Sequence, residues 1–226
     1  MGRMVAIEAK PYEFTCDLDR TALLIIDMQN DFLSPGGFGE LLGNDMSVIR
    51  EPVEPTRRVL EACREAGIMV IHTREGHRPD LSDCSPSKLR RTKRQGAGIG
   101  DKGPMGRILI RGEKGHDIIP ELSPRAGEPV IDKPGKGAFY ATALHAILTN
   151  AGIEALFVAG VTTHVCVSTT VREASDRGFE CLVLEDCTAA FDPTDKKAAL
   201  WQIQQQGAIF GWVAPSEKVL TVLRNS

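Results

Sequence analysis

Three residues whose types can act together on a carbonyl group each end or follow a short apolar run: Asp27 after TALLII, Lys133 in PVIDK, and Cys166 in GVTTHVC. A thiolate can attack, a carboxylate can carry protons, and an ammonium can hold the negative charge that attack requires. At neutral pH an unperturbed thiol is only a few per cent ionised, so placement decides whether a cysteine is a nucleophile. Cys166 opens a helical pattern over 165–177. There the helix dipole and a nearby ammonium can lower a thiol pKa from about 8.5 to roughly 3.5–7.5. The competing reading of Asp27 and Lys133 is a structural ion pair, because either charge is costly to bury alone. Cys63 lies in a helical pattern, Cys181 in an apolar run and Cys187 just past that run; with Cys16 and Cys84 they read as background. A buried free cysteine behaves as a small hydrophobe.

These residues need elements to position them. Short apolar runs at 21–27, 68–73, 129–133, 155–160 and 180–186, with a weaker one at 208–210, show little polar alternation and read as strands buried on both faces. Helical patterns lie between them at 53–66, 142–151, 165–177, 196–206 and 215–224, and Gly67, Gly152 and Gly178 mark left-handed ends of the first three. The alternation predicts an α/β fold of three layers: a doubly wound, six-stranded parallel sheet with helices on both faces. In such a sheet ligands bind beyond the carboxyl ends of the strands where strand order reverses. Asp27, His72, Thr73, Lys133 and the 160–166 turn are then expected on one rim.

The chain reads as one domain over 1–226, interrupted by a long irregular insertion at about 74–128, rich in Gly, Pro, Arg and Lys. Such a segment is usually functional or an interface. Its LRRTKRQ run reads as a solvated or subunit-contacting face. Gly98, Gly100 and Gly103 fit G-x-G-x-x-G as a string but follow a basic loop and no strand, which argues against a dinucleotide site.

Composition sets the outer limits. The 226 residues carry 27 Lys+Arg against 30 Asp+Glu, a net charge of −3 that argues against nucleic acid as the main partner. Apolar runs such as ALLII at 22–26 are far shorter than the ~20 residues that cross a bilayer, and no cationic-then-apolar leader opens the chain. The expectation is a soluble cytoplasmic protein with no membrane partner, and its six sparse cysteines read as reduced thiols.

LLIIDMQNDF at 23–32, IDKPGKGAFYATAL at 131–144 and GVTTHVCVSTTVREASDRGFECLVLEDCTAA at 160–190 resemble the isochorismatase-like cysteine hydrolases over nearly the whole chain. Within that superfamily, HTREGHRPDL at 72–81, GAGIGDKGPMGRILIRGEKGHDIIPEL at 96–122 and KPGKG look closest to biuret hydrolases. The resemblance implies a cofactor-free amidohydrolase that cleaves a C–N bond of a small ureide, biuret or triuret, through a Cys166 thioester. Asp27 would be its acid and base and Lys133 its charge partner. The backbone N–H groups of Thr162 and Cys166, aimed by a cis Val161–Thr162 peptide, would form the oxyanion hole. Phe32 and Gln206 would contact substrate, although a plain exposed Gln-rich helix end competes for Gln206.

One departure is His164, where the biuret hydrolases have Asp; it could alter substrate choice or face a neighbouring subunit. Nicotinamidases of the superfamily hold a metal through Asp and His, a spacing that His72, His77 and Asp80 only partly mimic; the expectation is no metal. The resemblance also implies a homotetramer, with the insertion as an interface element. Rival functions are hydrolysis of another small amide (ureidoacrylate, an N-carbamoyl amino acid, nicotinamide or a maleamate), a non-catalytic binding module of the same fold, and a receiver-type phosphoacceptor domain, for which Asp27 lacks a second acid.

Overall fold

The computed structural model describes residues 2–225. In chain order the main elements are β1 (Met4–Ile7), β2 (Phe14–Asp17), β3 (Thr21–Ile26), α1 (Val53–Glu65), β4 (Met69–Glu75), α2 (Pro86–Arg94), β5 (Val130–Lys133), α3 (Leu144–Asn150), β6 (Ala155–Val161), α4 (Ser168–Asp176), β7 (Glu180–Ala189), α5 (Pro193–Ala208), β8 (Trp212–Ala214) and α6 (Ser216–Arg224).

Strand β3 shows why the apolar runs lack polar alternation. Successive side chains point to opposite faces, and both faces are covered. Leu23 and Ile25 pack with Val59 and Leu60 of α1 and with Val219 and Leu220 of α6. Ala22, Leu24 and Ile26 pack on the other side with Leu144 and Leu148 of α3 and Val171 of α4. Each such fully buried side chain contributes roughly 1.5–3 kcal/mol. Helix α1 fits its layer because Val53, Thr56, Val59, Leu60 and Cys63 recur at helical spacing and are all buried.

The six-stranded sheet runs β8-β7-β6-β3-β4-β5 with every pair parallel. The chain winds outward from β3 to β4 and β5, then returns to β3's other side for β6, β7 and β8. Strand order therefore reverses between β3 and β6. The three-layer, doubly wound reading of the sequence holds, and Gly67, Gly152 and Gly178 do take left-handed conformations, with φ of +70°, +68° and +83°.

Three differences from the sequence reading have local causes. The last strand is Trp212–Ala214, paired with Leu182–Leu184, and 208–210 is not a strand. Helix α5 runs on into that segment, kinks at Gln205, Gln206 and Gly207, and leaves the strand to start later. An antiparallel hairpin of β1 and β2 precedes the sheet. The insertion is less irregular than its composition suggests: Glu75 still belongs to β4, α2 follows, and Cys84, Ala97, Ile99, Ile108, Leu109 and Ile110 make a small core of their own. No described helix is long and apolar enough to cross a membrane.

Candidate active site

The register of the sheet assembles the site. Ile26 on β3 pairs with Thr73 on β4 and with Gly160 on β6, so the residues that follow emerge side by side at the reversal point. Gly160 permits this closeness: a Cβ there would lie 2.0 Å from the carbonyl oxygen of Ile26. One strand further out, Glu75 pairs with Lys133.

Asp27 leaves β3 with φ of +52°. Its N–H donates to the Thr73 carbonyl at 3.2 Å, and the Thr73 hydroxyl donates to Asp27 Oδ1 at 2.7 Å. Lys133 Nζ lies 2.7 Å from Asp27 Oδ2, with both side chains fully buried. The ammonium is anchored further by donating to the carbonyls of Gly135 and Lys136 at 3.0 and 2.9 Å. Burial would by itself lower the Lys133 pKa, but Asp27, Cys166 and Glu75 outweigh it and hold the group above the usual lysine range.

Cys166 sits in a wide helical turn, Thr163–Val167, between β6 and α4. The Val161–Thr162 peptide before it is cis. The Thr162 carbonyl accepts from the N–H groups of Val165 and Val167, at 3.1 and 3.3 Å, on either side of the Cys166 amide. The thiol, in a residue only 4% exposed, donates to Glu75 Oε2 at 3.4 Å. The lowered pKa expected from helix placement is not what the surroundings produce. Burial pushes the thiol well above its ordinary value, Asp27 and Glu75 push the same way, and Lys133 and Lys136 only partly oppose them. Cys166 therefore rests as a thiol, and a role as nucleophile would need a base at hand.

Sequence reasoning missed the other half of this cluster. Glu75 accepts from Lys88 at 2.6 Å and from Lys136 at 2.9 Å, and Lys133 lies 3.9 Å away. Burial alone would raise the Glu75 pKa; the three ammonium groups overcome it and hold the carboxyl well below the usual carboxylate range. Glu75 ends its strand as Asp27 does, so a strand read two residues longer would have flagged it. Lys136 stands in the quoted KPGKG. Nothing in the sequence separates Lys88 from its basic neighbours Arg90, Arg91, Lys93 and Arg94.

A cavity of about 460 Å³ opens over the thiol. Phe32 lines it together with Phe38 and Phe191, which supply an apolar wall; Cys166, Glu75 and Lys136 line its polar side. His164 also lines it, at 3.7 Å from Asp195. Gln206 does not reach this cavity within the chain. It lines a separate groove with Arg172, Trp201 and Phe210. Asp195 marks the site end of α5, and nine residues of helix at 1.5 Å each put Gln204 roughly 14 Å further along the axis, with Gln206 in the kink beyond it.

The structure does not gather His72, His77 and Asp80. His72 pairs with Glu128 at 3.0 Å and His77 with Asp83 at 3.1 Å, while Asp80 caps Ser82 at the surface. The group with metal-ligand proximity among the described residues is Asp27, Glu75 and Cys166, whose ligand atoms lie within 4.8 Å of one another. Their negative charge is already met by the ammonium groups described above.

Comparison with known proteins agrees with this geometry. The family model for the isochorismatase domain matches residues 21–216. A cysteine hydrolase from Pseudomonas syringae pv. phaseolicola 1448A superposes with a TM-score of 0.78 at 25% identity, covering 93% of this chain and 95% of that one. An isochorismatase family protein from Desulfovibrio vulgaris gives 0.73 at 28%, covering 91% and 98%. The N-carbamoylsarcosine amidase of Thermoplasma acidophilum gives 0.67 at 27%, covering 88% and 97%. The chain, with its cysteine at the reversal point of the sheet, belongs to the isochorismatase family of cysteine hydrolases.

Proposed function

We propose that the protein is an amidohydrolase that cleaves a C–N bond of a small uncharged ureide, biuret first among them, with Cys166 as nucleophile. The observation that carries this reading is a buried thiol beside a buried Asp27–Lys133 pair, opening onto a cavity with an aromatic wall. Asp27 takes the thiol proton, and Lys133 balances the charge as sulfur attacks the ureide carbonyl. The Thr162 and Cys166 N–H groups receive the developing oxyanion, a contribution of about 2.7–4 kcal/mol per donor in known sites. Asp27 then returns the proton to the departing nitrogen, and water cleaves the thioester. Biuret and water would give allophanate and ammonia, with no cofactor consumed.

The amidase activity named for the Thermoplasma relative supports an N-carbamoyl amino acid as the competing substrate. Its carboxylate would meet Lys136 and His164 as well as Asp192 and Asp195 at the cavity, so the choice between the two substrates falls to activity. Ammonia release from biuret, triuret, ureidoacrylate, nicotinamide and N-carbamoylsarcosine separates these substrates. Preference for biuret or triuret is expected, and preference for N-carbamoylsarcosine would overturn the neutral-ureide assignment. The unpaired cysteines suit a cytoplasmic setting. Trp201 and Ile209, 58% and 48% exposed along the groove that holds Gln206, support assembly into a homotetramer, which sedimentation would test.

A further inference from the structure

The insertion places one residue inside the reactive cluster. Helix α2 brings Lys88, nearly buried, onto Glu75 Oε1 at 2.6 Å and onto the Pro134 carbonyl at 2.7 Å. The other Glu75 oxygen accepts from the Cys166 thiol. One buried carboxylate thus joins the insertion to the nucleophile. The cluster holds two carboxylates, Asp27 and Glu75, and three ammonium groups, Lys88, Lys133 and Lys136. Its charge is +1 with the thiol protonated and zero with the thiolate.

We infer that Glu75 is a positioning residue: it orients the Cys166 thiol, holds it protonated at rest, and is itself pinned by Lys88 from the insertion. The assignment rests on Cys166 being the nucleophile. Three ammonium groups around Glu75 make it a poor proton acceptor, which leaves proton removal to Asp27 and gives Glu75 a different task. A thiol kept protonated until substrate arrives is protected from oxidants and stray electrophiles, which react with the thiolate. The other charged or titratable groups nearby are His164, Asp192 and Asp195 at the cavity, and His77, Asp83 and Cys84 beside Lys88.

The test is the pH dependence of Cys166 alkylation by iodoacetamide, read by mass spectrometry so that substrate turnover does not enter. Glu75→Gln raises the cluster charge to +2 and replaces the thiol's anionic acceptor with a neutral amide. Its reaction rate at pH 8 should rise at least about tenfold, and its profile should level off about one pH unit or more below the parent's. Lys88→Met lowers the charge to zero and should slow the reaction. A purely structural role would loosen the site in both variants and speed both, so shifts in the same direction, or none, would overturn the assignment. Removing one partner of a buried pair can prevent folding. Glu75→Gln in the Lys88→Met background keeps the parent charge, and there a rate about tenfold above Lys88→Met alone reads the same acceptor. No gain in that background also overturns the proposal. Loss of turnover in Cys166→Ala separately tests the nucleophile, so the two failures are distinguishable.

Discussion

Two regions of the molecule bury thiols, and they differ in what surrounds them. Cys181 lies inside β7 and Cys63 inside α1, in apolar surroundings that push each pKa up to about 12. Cys166 lies at the carboxyl rim, and burial raises it as well, well above its ordinary value. Burial therefore does not separate the proposed nucleophile from the other two cysteines. The difference is that Cys166 has Asp27 and Glu75 within 4.8 Å, ammonium groups to balance them, and an open cavity above. What sets the proposed nucleophile apart is neighbours that can take its proton and room for a carbonyl.

The comparison breaks most sharply on deletion of the sulfur. Cys166→Ala should reduce turnover by at least about 10⁴-fold. Cys181→Ala should leave kcat/KM unchanged while costing about 1 kcal/mol or more of stability through the cavity it leaves. Comparable activity losses in the two would end the distinction. Asp27→Asn should lower kcat by about 10²–10⁴-fold, the span of a positioned general base, with an unchanged circular dichroism spectrum. Lys133→Met leaves Asp27 buried without its partner and should cost about 3–5 kcal/mol in urea unfolding. A loss under about 1 kcal/mol would show that the Thr73 hydroxyl, and not Lys133, is what holds Asp27.

The cluster also sets an acid limb of stability. Glu75 is held below its unfolded value near 4.5, so its contribution is present above that pH. As pH falls below 4.5 the unfolded chain binds a proton that the folded carboxylate refuses, and stability drops. Glu75→Gln removes that proton from the balance and should flatten the limb by about 1.4 kcal/mol per pH unit in unfolding measured from about pH 5 to 3. The smallest expected effect is at the far end of α5. Gln206→Ala should change kcat/KM by less than about twofold if the monomer's geometry governs, and a larger loss would place Gln206 in another subunit's cavity.

Much of this was legible in the residues. Strands buried on both faces announce themselves as unbroken apolar runs, so the residues that end them, Asp27 and Lys133, could be placed on one rim by their position in the pattern alone. Phe32 was legible only through the resemblance, five residues beyond Asp27 in one motif. Glu75 was obscured by a strand boundary set two residues short, and the last strand by a helix that ran further than its pattern. Lys88 had no signal at all, since a lysine that will be buried looks the same in a basic run as one that will be solvated.

The sequence by itself determined the three-layer alternation and singled out Cys166 as the candidate thiol, because these follow from local apolar pattern and from which residue types end each run, whereas the strand order and its reversal between β3 and β6 came from the structure. Only the tertiary structure decided the protonation of that thiol and the carboxylate it faces. Both depend on burial and on charges drawn from β3, β4, α2, β5 and the following loop to within a few ångströms, and electrostatics in a low-dielectric interior answers to distance and not to position along the chain.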